Sequence, residues 1–580
     1  MAEEEIQEHP ELEMLRLNKA SGYNYRKRRE PDWKENYTLY RDKVTVNRLT
    51  QRQSVNIPMM KTVVRSLLKD VDDIPVLQFQ NLDNDKEAEV FQNEYWKLIG
   101  DPDHNNFELQ DIVDKKQVFL FGRTFDQWQI KDGTIKMTIQ DPQDILISRY
   151  TDPTDIHTSR FLIHTNIFVP LAVLEKDPDY DKEAIARIKL WAGSTEGVVK
   201  IADNESMAVE KAKKMEDMGM DDVMEPALGE TWIELALHFV YREENGEDEQ
   251  LYLYTEAEDM EVLHKEKLEE VIGTTSDNFW RNHFPYCSWA DDLERQDFWS
   301  DAIADIVRTP NKVLNSWFSQ MVENRTLRNY NMNVYDSNLE DFNPQTYVPT
   351  PWGWYGVPGK PSEVYQQMQV NDLSESLDEM EFLIKMVEKA TGAVATQQGA
   401  PVEKDITLGE VRLAWGEAQE RIEGMSKFYT PAWKQRGTMF LKLIEAASDR
   451  LDVVKIYKKG RNTNEIFSRE IGPKDWMTKA GYRVKVWNQD EKKAKDTETL
   501  QKLNALKAFM PFNPKVDEIL KEKLTEFAGL TPEQTNEILE YERQQADMMT
   551  QPGMLSQTPG QPGQQPLPVP QGQTQLPAQV

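Results

Sequence analysis

Apolar residues recur at helical spacing along three long stretches of the chain. From Phe298 to Arg325 the pairs Phe298/Trp299, Ala302/Ile303, Ile306/Val307, Val313/Leu314, Trp317/Phe318 and Met321/Val322 draw a wide apolar stripe down one face. Pro310 interrupts the stripe and predicts a kink. Over 373–390, Leu377, Met380, Ile384 and Val387 repeat the pattern, with Asp372 and Glu375 at capping-box spacing and Gly392 placed to end the helix. The third stretch opens at Thr407, whose capping-box partner is Glu410. It runs through Val411, Trp415, Ala418, Ile422, Met425 and Tyr429 to Phe440, Leu443, Ile444 and about Arg450. Pro431 and Gly437 predict a bend in it. At 1.5 Å per residue the first element is roughly 40 Å long and the third roughly 65 Å if straight. A single core cannot contain the third, so it bends sharply or crosses a larger assembly.

Elsewhere the pattern is shorter and mixed. Val55-Asn56-Ile57-Pro58 leads into a helix from Met59 to Lys69, with Val63, Val64, Leu67 and Leu68 on one face. Phe107 to Phe121 reads as a helix running into an apolar strand, closed by Gly122. Phe125–Ile130 and Ile135–Ile139 flank Asp132-Gly133, a strong hairpin signal, and Ile145 to Ser148 continues that sheet. Trp232–Tyr241 and Gln250–Tyr254 flank Asn245-Gly246 and form a second hairpin. Strand alternation returns at Val453–Tyr457, Glu465–Phe467 and Tyr482–Trp487, and Thr497–Met549 is again helical. The fold class that follows is α+β, mostly helical.

Charge narrows the picture. The 580 residues hold 69 Lys and Arg against 100 Asp and Glu, a net charge of −31. That argues against a protein that wraps nucleic acid by neutralising phosphates, though not against one that surrounds DNA without gripping it. With 39% hydrophobic residues the chain can build sizeable cores, and its length predicts three or four domains. A single cysteine, Cys287, precludes an intrachain disulfide and a Cys-based zinc site, as suits a reducing compartment. No stretch reads as a membrane span, and the acidic start, Met-Ala-Glu-Glu-Glu-Ile, is not a signal peptide.

Three segments stand apart. Basic residues from Arg26 to Arg29, then Arg41, Lys43, Arg48 and Arg52, alternate with Trp33, Tyr37 and Tyr40. This reads as a nucleic-acid arm or, more simply, as an arm lying on a neighbouring acidic surface. Residues 202–230 hold nine acidic residues and five Met, an acidic surface insertion. Residues 551–580 hold nine Gln and seven Pro without charge or aromatics, so they are expected to be disordered with polyproline character.

No catalytic motif is present: no phosphate-binding Gly-rich loop, no H-E-x-x-H and no G-x-S-x-G. The seven His are scattered; His157 and His164 read as half-buried structural residues rather than metal ligands. The acidic groups Asp70, Asp72 and Asp73, and Asp83 and Asp85, lack calcium-loop spacing and read as solvated charge. No catalytic residue, cofactor or metal ion is expected.

The order of these parts resembles the portal proteins of tailed bacteriophages. The points of resemblance are the Asn56-Ile57-Pro58 turn into a short helix, the strand, Gly and hairpin from Phe119 to Asp141, and helix 298–325. A Pro- and aromatic-rich insertion, helix 373–390, a Gln/Gly loop and the long bent helix from Thr407 complete it. The resemblance implies a charged N-terminal arm (1–30) and an α/β wing (31–297) carrying the acidic insertion. It implies stem helices at 298–328 and 372–392 around a β-containing clip at 329–371. A tunnel loop (393–407), a long kinked helix (408–450), a wing β segment (451–490) and crown helices (491–550) follow, before the tail 551–580.

It further implies a homo-oligomeric ring, usually of twelve subunits, at one capsid vertex of the virion, assembled in the host cytoplasm. Double-stranded DNA would be packaged and ejected through its channel. The terminase large subunit, neck and tail adaptor proteins, and the major capsid and scaffolding proteins are the implied partners, with no membrane. Residues Thr396, Gln397, Gln398, Gly399 and Lys404 would line the DNA channel. Trp352, Trp354 and Tyr355 in the clip would bind the terminase and then the adaptor. Trp299, Ile303, Val307, Leu314, Trp317, Phe318, Leu377, Met380 and Ile384 would form the stem interface between subunits. Two other readings stay open: a different ring-forming connector or assembly protein, and an enzyme with an unrecognised site.

Overall fold

The computed structural model describes residues 11–42, 55–70, 74–81, 86–193, 231–244, 248–329, 333–335, 360, 365–367, 376–391, 408–447, 450–451, 454–459, 466–471, 482–487 and 502. Helices and sheets are mixed, which is the α+β class expected. The chain divides into two compact units, one of Met1–Ile456 with Glu470–Lys492 and one of Tyr457–Arg469 with Lys493–Val580.

The first unit opens with helices α1 (Leu12–Arg26), α2 (Glu30–Tyr40) and α3 (Met59–Asp70). Strand β1 (Val76–Asn81) and helices α4 (Lys86–Gly100) and α5 (Phe107–Phe121) follow, then the hairpin β2 (Arg123–Lys131) and β3 (Thr134–Gln140). The next strands are β4 (Ile145–Ile147), β5 (Phe161–Pro170), β6 (Trp232–Arg242), β7 (Gln250–Ala257), β8 (Glu261–Lys267) and β9 (Tyr286–Ala290). Helices α6 (Leu171–Leu174), α7 (Lys182–Ala192) and α8 (Leu268–Ile272) lie between them. After β9 come α9 (Ile303–Asn329), β10 (Asn333–Tyr335), β11 (Tyr365–Gln367), α10 (Ser376–Thr391) and α11 (Leu408–Ala446). Strand β14 (Tyr482–Trp487) ends the first unit's series, and strands β12 (Val454–Lys459) and β13 (Ile466–Ile471) span the points where the chain passes between the two units.

The hairpin turn is the one expected. Asp132 and Gly133 both take positive φ, which the twist of paired strands requires of a two-residue turn. Strand β9 joins this hairpin in a sheet of order β3-β2-β9, and a second sheet runs β4-β5-β6-β7-β8. Ile145–Ile147 therefore does not continue the hairpin's sheet; it pairs antiparallel with β5, Leu146 opposite Ile163. Phe107–Phe121 is helical throughout, with no strand at its end. Val118, Phe119, Leu120 and Phe121 are buried on every side of its last turn, and Gly122 caps it at φ 83°. A Cβ at Gly122 would lie 2.1 Å from the Ser300 carbonyl oxygen, so only glycine lets the chain turn here.

The expected N-terminal arm is two helices packed on this unit. Leu12 and Leu15 join a cluster with Leu146, Phe161 and Tyr254, and Trp33 is fully buried. Helix α11 stays helical through Pro431 and Gly437. Gly437 serves close packing, because a Cβ there would meet Leu77 Cδ2 at 2.5 Å. Strand β1, which pairs with β14, lies in the same core, where Trp96 stacks on Trp128 and meets Phe79, Phe107, Trp433 and Phe440.

Two strand edges are closed by asparagines. The Asn105 amide donates to the Ile135 carbonyl at 3.0 Å and accepts from the Met137 N–H at 3.1 Å, and Gln110 accepts from the Ile139 N–H at 3.3 Å. Asn93 on α4 does the same for Phe79, accepting its N–H at 3.1 Å and donating to its carbonyl at 3.3 Å. Each amide stands in for a missing neighbouring strand.

Candidate functional site

The base of helix α9 is held by polar groups from α2. Asp305 is the hub: Arg29 reaches it at 2.9 Å, Asn36 at 3.0 Å, Arg308 at 3.0 Å and the Ala302 N–H at 2.9 Å. Arg29 also pairs with Asp301 at 2.7 Å, and Arg308 with Asp32 at 2.7 Å. The second hydrogen of the Asn36 amide goes to the Leu120 carbonyl at 3.1 Å, tying α5 to the same point. Trp33 packs edge-on against Trp299 with ring centres 5.2 Å apart. Of the cations expected to reach a neighbour or nucleic acid, Arg26, Arg28 and Arg29 are matched to carboxylates of their own chain, while Lys43, Arg48 and Arg52 lie outside the described residues. Further along α9, the Asn56-Ile57-Pro58 turn is fixed to it. Asn315 accepts the Ile57 N–H at 2.7 Å, Ser319 accepts the Val55 N–H at 3.0 Å, and the amides of Asn56 and Asn315 bond each other.

Burial separates the expected stem residues. Trp299, Ile303, Val307 and Leu314 are buried within the chain, as is Met380 on α10. Trp317, Phe318 and Ile384 are partly buried against this core, and Leu377 is exposed. The buried ones therefore serve the subunit's own core, a correction to the expectation that the whole stripe faces neighbouring subunits. The reason is that α2, α3 and α5 all pack on α9. Helix α10 turns Met380 and Val387 inward and leaves Phe382 and Met386 exposed.

Helix α11 is rooted by a buried charge centre. Arg436, 1% exposed, bonds Asp114 of α5 at 2.8 Å and Asp126 of β2 at 2.9 Å. Trp289 donates to Asp114 at 2.9 Å and Trp128 to Asp126 at 2.5 Å. One turn away from Asp114, Asp111 accepts from Tyr429 at 2.5 Å and pairs with Lys115 at 2.6 Å. Burial pushes Asp114 up to about 6 against the pull of Arg436, with Asp126 and Asp111 adding to the rise. Arg436 is raised well above its ordinary value by the two carboxylates despite its burial. The centre is sealed from solvent, so its chemistry is anchorage. Cys287 lies beside it, its thiol pushed up by burial and hence unreactive.

His157, His164, His238 and His283 serve packing and hydrogen bonding within the chain. His164 bonds the Tyr286 hydroxyl at 3.0 Å, His157 packs on His283 with ring centres 4.7 Å apart, and burial brings His157 down to about 3. His238 and Glu256 form a buried pair at 2.5 Å. Among the described residues no group of His, Cys, Asp or Glu is placed to hold a metal ion, and no helix is long and apolar enough to cross a membrane.

The expected channel residues Thr396, Gln397, Gln398, Gly399 and Lys404 and clip residues Trp352, Trp354 and Tyr355 lie outside the described residues. So do the capping pair Asp372/Glu375, Thr407 of the pair Thr407/Glu410, the insertion 202–230, the tail 551–580 and, apart from Lys502, the helical stretch 497–549. Of the clip, β10 and β11 are described; they pair antiparallel, Asn333 opposite Gln367 and Tyr335 opposite Tyr365. The chain thus runs helix, strand, return strand, helix, and then the long helix. Over residues 50–579 it matches the family model described as the phage SU10 portal protein. The chain belongs to this family of tailed-phage portal proteins. No curated protein matches it. The portal family is structural rather than enzymatic, and its members are virion components. Helices α1 and α2 of this portal precede the matched residues, yet Arg29 between them and Asn36 of α2 hold the base of α9.

Sequence reasoning missed the centre around Arg436. Its one signal was a lone arginine between Trp433 and the apolar run from Met439 to Leu441, where a helix enters a core.

Proposed function

We propose that this portal forms a closed ring, of twelve subunits by the family's habit, at one capsid vertex. Through it double-stranded DNA is packaged by the terminase and later ejected, and to it the neck and tail proteins attach. The observation that carries the reading is the order α9, β10–β11, α10, α11: two antiparallel-paired strands returning between two helices, followed by a 39-residue helix, in a chain of the portal family. Trp317, Phe318, Leu377 and Ile384 belong to the stem surface that a neighbour covers, with the buried Trp299, Ile303, Val307, Leu314 and Met380 supporting it from beneath. Trp352, Trp354 and Tyr355 contact the terminase and then the adaptor. Thr396, Gln397, Gln398, Gly399 and Lys404 meet passing DNA weakly, since a tight phosphate grip would stall translocation.

Negative-stain imaging of the purified portal tests the assembly: particles with a central hole support it, and monomers or open filaments refute it. Gln397→Arg with Gln398→Arg tests the channel: packaging slows, most at low salt. Rates unaffected at every salt concentration would remove the loop from the DNA path.

A further inference from the structure

Two helix faces of the first unit expose grouped apolar side chains. On α5, Leu109, Ile112 and Val113 are 59%, 49% and 45% exposed, and their spacing sets them on one face. On α10, Phe382 and Met386 are 65% and 54% exposed and lie one turn apart, on the side away from the buried Met380 and Val387. Other exposed apolar residues, such as Leu17, Tyr150 and Leu190, stand singly and need no partner. A grouped face does.

The α5 face itself carries exposed Glu108, one turn before Ile112, and the cations lie on the helix packed against α5, while α10 begins with acids. Helix α5 packs on α3, where Lys61, Arg65 and Lys69 follow one another at every fourth position; Arg65 and Lys69 are exposed and Lys61 is half-buried. None of the three forms an ion pair with a described residue, in a chain where acids outnumber bases 100 to 69. Helix α10 opens with exposed Asp378 and Glu379. Farther along, Lys385 is matched by Glu381 at 3.0 Å, and Lys389 lies in the last turn.

We propose that the α5–α3 face of one copy receives the α10 face of the next. The inference rests on the ring reading and names its contact: Phe382 and Met386 cover Leu109, Ile112 and Val113, while Asp378 and Glu379 meet the cationic line on α3. A closed ring needs two unlike surfaces that repeat head-to-tail, and these two are unlike in position and complementary in chemistry.

Mixing two blocked chains tests it. Leu109→Asp with Ile112→Asp blocks one face, and Phe382→Asp with Met386→Asp blocks the other. All four positions are exposed, so each variant keeps the parental circular dichroism and melting profile. Each alone sediments as a monomer. Mixed in equal amounts they form a one-to-one dimer and nothing larger, because each retains one working face. Rings from either variant alone, or a mixture that stays monomeric beside parental rings, would overturn the pairing and leave the ring standing. A parental chain that forms no ring would overturn the ring reading itself.

A charge swap gives the second arm. Lys61→Glu, Arg65→Glu and Lys69→Glu together lower ring yield about tenfold, and Asp378→Lys with Glu379→Lys restores it. If the triple variant instead assembled like the parent but bound duplex DNA less well, the cations would serve phosphates, and the proposed contact would fall.

Discussion

The lower half of helix α9 and the surfaces beyond it carry the same apolar spacing and meet different fates. Below, Ile303, Val307 and Leu314 vanish into the chain's own core, and Asp305 gathers Arg29, Asn36 and Arg308 around the helix start. Above, Trp317, Phe318 and Met321 are only partly covered, and on α10 Leu377, Phe382 and Met386 stay exposed. Periodicity reports that a face is to be buried; it does not say by what. A single chain satisfies the lower half and leaves the upper half uncovered, and it is this upper half that the proposed ring would cover.

The sharpest way to break this contrast is to attack the rooted half. Trp299→Ala should lower the stability of the unassembled subunit by about 3–5 kcal/mol, read from urea unfolding. Arg436→Met should cost a similar amount, about 3–5 kcal/mol, because Asp114 and Asp126 would be left buried without their cation. A loss under about 1 kcal/mol in either would mean that these helices are not rooted as described.

Smaller effects sharpen the contrast. Asn36→Ala leaves the Leu120 carbonyl and Asp305 each short of a donor, and should cost about 1–3 kcal/mol. Asn36→Asp would add a repelling charge beside Asp305 and should cost more. Equal stabilities for the two variants would show that the Asp305 contact is idle.

A third comparison uses pH in the five-stranded sheet, away from α9. Burial pushes Glu234 up to about 7, with Lys19 pulling the other way. Between its unfolded value and about 7 the folded chain keeps a proton that the unfolded chain has lost, so this group makes stability fall as pH rises through that window. Glu234→Gln abolishes that fall. Measured by urea unfolding, the variant should gain on the parent by about 2–3 kcal/mol between pH 5 and 8. A difference that does not change with pH would refute the assignment.

The smallest effect is the most telling. Leu377→Ser should change the stability of the unassembled subunit by less than about 0.5 kcal/mol while weakening ring formation. A large loss in the single subunit would place Leu377 in the core after all.

What the sequence disclosed depended on distance along the chain. The Asp132-Gly133 turn, the Gly122 cap and the long helices are local signals, and they were legible. The end of α5 was misread because Val118 to Phe121 is apolar on all sides, where period cannot separate a buried helix from a strand. The basic run at Arg26 to Arg29 read as an arm because several of its acceptors lie far off, Asp297 for Arg28 and, 276 residues from Arg29, Asp305. Arg436 and Asp114 are 322 residues apart, beyond any local pattern. The split between core and exposed halves of the stem stripe was illegible for the same reason: only folding brings α2, α3 and α5 onto α9.

The asparagines at the strand edges bear on the time before assembly. In the proposed assembly a subunit would first wait, folded and crowded among identical copies, until its neighbours arrive. Open strand edges on such copies would template one another into ribbons, and that polymerisation would compete with ring closure. By occupying both the N–H and the carbonyl of Phe79, and the outward groups of Ile135 and Met137, the amides of Asn93 and Asn105 deny that route at these edges. Growth is steered toward helix faces, whose geometry can count subunits and stop. Replacing either asparagine with alanine would thus be felt less by the finished ring than by the pool of waiting subunits, where aggregation would become the faster fate.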